Sequence, residues 1–145
     1  MATIYFDMDG TIANLYGVEN WLNYLIAKET TPYEKAKPLL YLSLLARLLN
    51  NLQRKGYKIG IISWLAKNSN DEYDEAVKIA KLNWLKTHLA SVQFNEIHIV
   101  PYGTPKESFS KSEMDILFDD EKPNRENWTG KAFNEKMIIE ILKAL

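Results

Sequence analysis

The chain has 145 residues, 46% of them apolar and 26% charged, enough apolar material for one ordinary domain and too little length for two comfortable ones. A formal net charge of −1 gives no reason to expect a nucleic-acid or membrane surface held by bulk electrostatics, a local basic patch aside. With no cysteine, disulfides, thiolate metal sites and cysteine nucleophiles are excluded.

Thr3 to Phe6 is the first apolar run and predicts a buried strand. The segment from Ile12 to Pro38 follows. It holds Tyr16, Trp21, Tyr24 and Tyr33, with a short helical stripe of Leu15, Val18, Leu22, Leu25 and Ile26. It predicts a small helical lid, around residues 13–37, folded over the strand ends. The plainer alternative is that these aromatics simply pack. Thr31-Pro32 and Lys37-Pro38 read as helix starts, since proline fits the first helical position. Pro38 to Lys55 is then a long helix closed by Gly56. Lys58 to Ile62 predicts the second strand. Ser69-x-x-Glu72 matches a capping box, and Val77, Ala80, Trp84, Leu85 and His88 continue that helix. Ile97 to Val100 and Asp115 to Phe118 predict the third and fourth strands. Phe133, Met137, Ile138, Ile141, Leu142 and Leu145 give an amphipathic terminal helix.

Strands that are continuously apolar or nearly so, with helices between them, point to an α/β domain with a parallel sheet and right-handed crossovers. No repeat or linker interrupts the chain, so residues 1–145 read as one domain. The most apolar stretch, Leu39 to Leu49, is broken by Ser43 and Arg47 and is too short to span a bilayer. The start lacks the basic region and long apolar run of a signal peptide, so a cytoplasmic location is the expectation.

Three of the four strands run straight into polar residues: the first into Asp7, the second into Ser63, the fourth into Asp119-Asp120. The third leads into Pro101-Tyr102-Gly103-Thr104-Pro105-Lys106. Ligands of open parallel sheets bind at the carboxyl ends of the strands, so four pieces of sequence supply polar groups to one edge. In Asp7-Met8-Asp9-Gly10-Thr11, two carboxylates precede a glycine that permits a tight turn. The backbone N–H groups of such a turn can cradle an anion. Other acids read more plainly. Asp71-Glu72-Tyr73-Asp74-Glu75 sits in a first helical turn, where acids suit the dipole. His88 and His98 are too isolated to argue a metal pair.

The segment Asp7-Met8-Asp9-Gly10-Thr11 resembles the first motif, Asp-x-Asp-x-Thr, of the haloacid dehalogenase superfamily. Ser63 is similar to that superfamily's second motif, Lys106 to its third-motif lysine (with Lys111 as rival), and Asp119-Asp120 to its acidic fourth motif. The resemblance runs from the first strand through the fourth. It implies a three-layer, Rossmann-like α/β fold with a small helical cap after the first strand. It also implies a phosphomonoester hydrolase that uses Mg2+.

The implied roles make chemical sense. A phosphomonoester is a dianion whose uncatalysed hydrolysis enzymes accelerate by as much as on the order of 10²¹. A carboxylate approaching it at ~4 Å meets about 4 kcal/mol of repulsion at an effective dielectric near 20, which a hard divalent cation relieves. By the resemblance Asp7 is nucleophile and metal ligand, and Asp9 is general acid then base, ligating metal through its carbonyl. Asp119 and Asp120 complete the metal site as direct ligand or supporting group. Thr11, Ser63 and Lys106 bind phosphoryl oxygens.

The interval between the first two motifs leaves no room for a large cap, so the site is either covered by a short lid or open to bulky substrates. The run Ile116-Leu117-Phe118-Asp119-Asp120-Glu121-Lys122-Pro123 is similar to the strand and double acid of the superfamily's 5′-deoxyribonucleotidases. That makes a nucleoside 5′-monophosphate the leading substrate, with Trp64, Trp21 or Tyr24 stacking on the base. Two alternatives stand beside it. One is a phosphatase of nucleic-acid ends or phosphoproteins, the former disfavoured by the neutral charge. The other is a catalytically silent binding module on the same fold.

Overall fold

The computed structural model describes residues 2–145. Five parallel strands form its sheet: β1 (Thr3–Phe6), β4 (Lys58–Trp64), β5 (Glu96–Val100), β6 (Ile116–Phe118) and β7 (Lys131–Phe133), in the order β5-β4-β1-β6-β7. β1 is the middle strand, with Tyr5 opposite Gly60 on one side and Leu117 on the other. All four of its residues are buried, as its nearly continuous apolar run predicts. The site therefore grows from the best-insulated strand of the molecule.

On one face, Ile4, Phe6, Ile59, Ile61, Ile116 and Phe118 pack against α3 (Leu42–Arg54), the second half of α4 (Asp71–His88) and α6 (Ile138–Ala144). On the other, Tyr5, Ile62 and Leu117 meet Trp128, which follows α5 (Lys122–Asn127), and Phe109, which ends a 3₁₀ turn. This is the three-layer, Rossmann-like α/β arrangement expected from the sequence. No helix among the described residues is long and apolar enough to cross a membrane.

The cap is the two-stranded ribbon β2 (Ala13–Asn14) and β3 (Lys37–Pro38) with α1 (Trp21–Ile26) and α2 (Thr31–Lys35) between its strands. It carries its own small core. Leu15 and Tyr33 pack with Leu65 and with Tyr73, Val77 and Ala80 on the first half of α4. Polar ties fasten it to the same surface. The Tyr73 hydroxyl donates to the Glu29 carbonyl at 2.9 Å, Trp84 Nε1 to that of Ala36 at 2.8 Å, and Lys28 Nζ to that of Asn68 at 3.0 Å.

Three sequence expectations need correction. Pro38 does not open a helix. It lies in β3 opposite Ala13, and α3 begins only at Leu42. A residue before proline is pushed out of the helical region, and Lys37 obeys that rule in a strand. The cap of α4 is Asn70, whose side chain accepts from the Tyr73 N–H at 2.8 Å, and not Ser69. Phe133 ends a fifth strand, β7, and the terminal helix starts at Ile138. Lys131–Phe133 is three residues long and owes its extended form to pairing with Ile116–Phe118, a partner that local periodicity does not reveal.

Candidate active site

The end of β1 sets Asp7. Its N–H donates to the Phe118 carbonyl at 2.9 Å and carries the β1–β6 ladder one residue further. The chain then turns sharply, with the Met8 carbonyl accepting from the N–H groups of Thr11, Ile12 and Ala13 at 3.1, 3.0 and 2.9 Å. Gly10 sits in this turn at φ +84°, and a Cβ there would come within 2.4 Å of Asp120 Oδ2. Both conformation and space therefore demand glycine.

Asp7 is 6% exposed and accepts Lys106 Nζ on Oδ1 and the Thr11 hydroxyl on Oδ2, each at 2.9 Å. Lys106 Nζ also donates to Asp119 Oδ2 at 2.7 Å, so one buried ammonium clamps the ends of β1 and β6. Asp119 is held further by the Asn124 side-chain amide at 3.1 Å and the Glu121 N–H at 2.9 Å. Thr11 Oγ1 accepts from the Asp120 N–H at 3.1 Å, while Arg125 donates to the carbonyls of Asp119 and Asp120. Burial alone would raise the Asp7 pKa; the Lys106 charge and the hydrogen bonds reverse this and hold it below the ordinary carboxylate range. Its nearest acids move the other way, through burial first and the Asp7 charge second, Asp119 to about 6 and Asp120 to about 8.

A second buried ammonium holds the other carboxylate. Lys81 Nζ donates to Asp9 Oδ2 at 2.9 Å, Ser63 Oγ at 2.6 Å and the Trp64 carbonyl at 2.7 Å, which uses all three of its hydrogens. Burial and the Asp7 charge raise the Asp9 pKa in spite of this partner. Lys81 went unnoticed in the sequence, although a signal was present. It falls on the same helical stripe as Val77, Ala80, Trp84 and Leu85, and a lysine on a buried stripe needs a partner.

One oxygen each from Asp7, Asp119 and Asp120 lie within 4.8 Å of one another. Around them four carboxylates, with Asp9, face only two ammonium groups, Lys81 and Lys106. That formal excess of acids over ammonium groups and the all-oxygen donor set fit a hard divalent cation.

A cavity of about 260 Å³ opens over this floor. Asp7, Asp9, Lys106, Asp120, Glu121 and Asn124 line one side; Leu15, Tyr16, Trp21, Leu22, Leu25 and Tyr33 of the cap line the other, with Trp64 to Lys67 and Tyr102 at the edge. The structure thus gathers most of the sequence candidates, with differences. Ser63 lies inside β4 rather than beyond it, is fully buried, and meets Lys81. Thr11, expected on phosphoryl oxygens, directs its hydroxyl to Asp7 and Asp120. Of the two candidate lysines, Lys106 is at the site, while Lys111 is exposed and paired with Glu96. Trp64 and Trp21 line the cavity and Tyr24 does not. Trp64 is fixed by its Nε1 on the Thr104 carbonyl at 2.8 Å, and Trp21 meets Tyr16 edge to face.

No protein-family model matches the chain, and no curated protein matches it by sequence. Solved structures do match in fold. The D,D-heptose 1,7-bisphosphate phosphatase of Burkholderia thailandensis superposes with a TM-score of 0.53 at 15% identity, over 87% of this chain and 70% of that one. The B. bronchiseptica D,D-heptose 1,7-bisphosphate phosphatase, solved with magnesium and phosphate, gives 0.52 at 12% identity, over 91% and 78%. A chain of the Pnkp1/Rnl/Hen1 complex gives 0.54 at 16% identity, covering 92% of this chain but only 45% of its own length.

Proposed function

We propose that the chain is a magnesium-dependent phosphomonoesterase of the haloacid dehalogenase type, with Asp7 as nucleophile. The observation that carries this reading is the setting of Asp7: a buried carboxylate at the cavity floor, bonded to the Lys106 ammonium, which favours its ionised form, and to the Thr11 hydroxyl, beside an Asp9 whose pKa is raised by burial. Two neighbouring carboxylates pushed apart in pKa are what nucleophile and general acid need. The shared fold with two phosphatases, one solved with magnesium and phosphate, supports it.

In this mechanism an Asp7 oxygen bonds to phosphorus as the ester P–O bond breaks, and Asp9 passes its proton to the departing alkoxide. Asp9 then takes a proton from the water that attacks the aspartyl-phosphate, releasing phosphate and restoring Asp7. Lys106 stabilises negative charge on the phosphoryl oxygens throughout. Lys81 keeps Asp9 and Ser63 in place. Asp7, Asp119, Asp120 and the Asp9 carbonyl would hold Mg2+, which supplies charge neutralisation for the incoming dianion.

For the substrate, we read a nucleoside 5′-monophosphate, supported by the aromatic lining of Trp21, Tyr16, Trp64 and Tyr102, which suits a flat base. The test is phosphate release from aryl, sugar and nucleoside phosphates, with magnesium and with chelator, by wild type and Asp7→Asn. Magnesium-dependent turnover lost in Asp7→Asn is the expected result. Absence of turnover across the panel defeats the catalytic reading and leaves a binding module on this fold.

A further inference from the structure

We propose that Tyr33 reads a second oxygen on the leaving group, so that the enzyme prefers phosphate esters of hydroxylated alcohols, such as sugar phosphates, over plain alkyl or aryl esters. The proposal rests on the phosphatase reading and gives its cavity a polar specificity point.

The argument begins from the phenol itself. Tyr33 is 4% exposed, and it lines the cavity. The other tyrosines buried to this degree, Tyr5 and Tyr73, place their hydroxyls on protein acceptors: Glu96 and the Phe109 carbonyl for Tyr5, the Glu29 carbonyl for Tyr73. Buried tyrosine hydroxyls ordinarily find such partners. The Tyr33 hydroxyl has none among the described residues. Nor is it sealed away, since among the described residues the fully enclosed side-chain polar atom without a partner is Asp74 Oδ1. A donor that is closed in on the protein side and open on the cavity side awaits an acceptor from the ligand.

Its position selects which part of the ligand. The ring lies 5.2 Å from Lys81 Nζ, the ammonium that holds Asp9. Asp9 is the group that serves the leaving alcohol, whereas Lys106, Asp119 and Thr11 gather around the nucleophile. Burial, then the Asp9 charge, pushes the phenol well above its ordinary range, so it remains a neutral donor. Beside it Leu15, Leu25 and Leu65 are apolar, and an alcohol without an oxygen there leaves the phenol unpaired, which disfavours that alcohol.

Tyr33→Phe removes only the hydroxyl, which makes no hydrogen bond to the described residues, so the variant retains the fold. Expected is a fall in kcat/KM of about three- to tenfold on ribose 5-phosphate and a nucleoside 5′-monophosphate, the worth of one neutral hydrogen bond. 3-Methylbutyl phosphate and phenyl phosphate should stay within twofold of wild type. Equal losses on all four esters would put Tyr33 on the phosphoryl group or Asp9, and no loss on any would make it idle; either result overturns the proposal. Wild type silent on every ester would instead sink the phosphatase reading. In that event calorimetry still decides. Tyr33→Phe must weaken ribose 5-phosphate and leave inorganic phosphate unchanged, and the proposal fails if it does not.

Discussion

The two walls of the cavity are built on opposite plans. On the sheet side, Asp7, Asp119, Lys106 and Thr11 are buried, and each has its polar atoms engaged by another member of the group. On the cap side, Tyr16 and Leu22 are about half exposed, Trp21 is part-buried, and Tyr33 offers a hydroxyl with no protein partner. The first plan fixes charges in advance, which is what stabilising a transition state requires. The second leaves contact surface that only a ligand completes. On the phosphatase reading the difference makes reaction and substrate choice separable, so substitutions on the two walls should differ in kind as well as in size.

The largest effect belongs to Asp7→Asn. It should lower kcat by on the order of 10⁴-fold or more, equally on every ester, in steady-state assays. A loss that varies from ester to ester would deny Asp7 the nucleophile's role. Lys106→Met comes next. It strips one ammonium from two buried carboxylates, and breaking such a pair costs roughly 3–5 kcal/mol, measurable by urea unfolding. Activity should fall with it. A variant of unchanged stability would show that the clamp between β1 and β6 does not exist.

The sheet wall was largely legible in the sequence because strand ends put their residues on one edge whatever the details of the helices. Asp7, Asp9 and Asp119-Asp120 needed only the four apolar runs before them. Lys106 was the better match and Lys111 its rival, since both follow the third strand, and three dimensions put Lys106 on Asp7 and Lys111 on Glu96. Lys81 was hidden by distance: its partners Asp9 and Ser63 lie 72 and 18 residues away. The cap was foreseen as an insertion but not as a ribbon, because β2 and β3 are two residues each and exist only by pairing with each other. Stacking aromatics could not be sorted either. Trp21 and Tyr24 both belong to α1, and only the docking of α1 decides that Trp21 meets the cavity.

Charge imbalance on the sheet wall gives a prediction of intermediate size. Asp119 at about 6 and Asp120 at about 8 bind protons more tightly folded than unfolded, where carboxyls titrate near 4. Between pH ~4 and 8 the folded state therefore holds more protons, and the stability of metal-free protein falls as pH rises through that window. Asp7 acts oppositely, its depressed pKa giving stability that is already complete above the unfolded value. Melting in chelator should thus decline from pH 5 to pH 8. Magnesium should offset the decline, by about 2.7 kcal/mol at a hundred times its dissociation constant, and more at pH 8 than at pH 5. A magnesium effect that is flat with pH would place the ion away from Asp119 and Asp120.

The smallest effect tests the cap wall alone. Trp21 makes no hydrogen bond to the carboxylates among the described residues, and within the cap it rests edge to face on Tyr16 with ring centroids 4.9 Å apart. Stacking of a base on an aromatic is worth about 1–3 kcal/mol, so Trp21→Ala should cost about tenfold in kcat/KM for adenosine 5′-monophosphate. Ribose 5-phosphate carries the same phosphoester and no base, and its turnover should be unchanged. The pair of substrates cancels any general loosening of the cap, which would slow both. Equal losses on the two would mean that the base does not reach α1 and that the nucleotide preference fails, while the chemistry assigned to Asp7 and Asp9 would stand, because nothing on the sheet wall depends on Trp21.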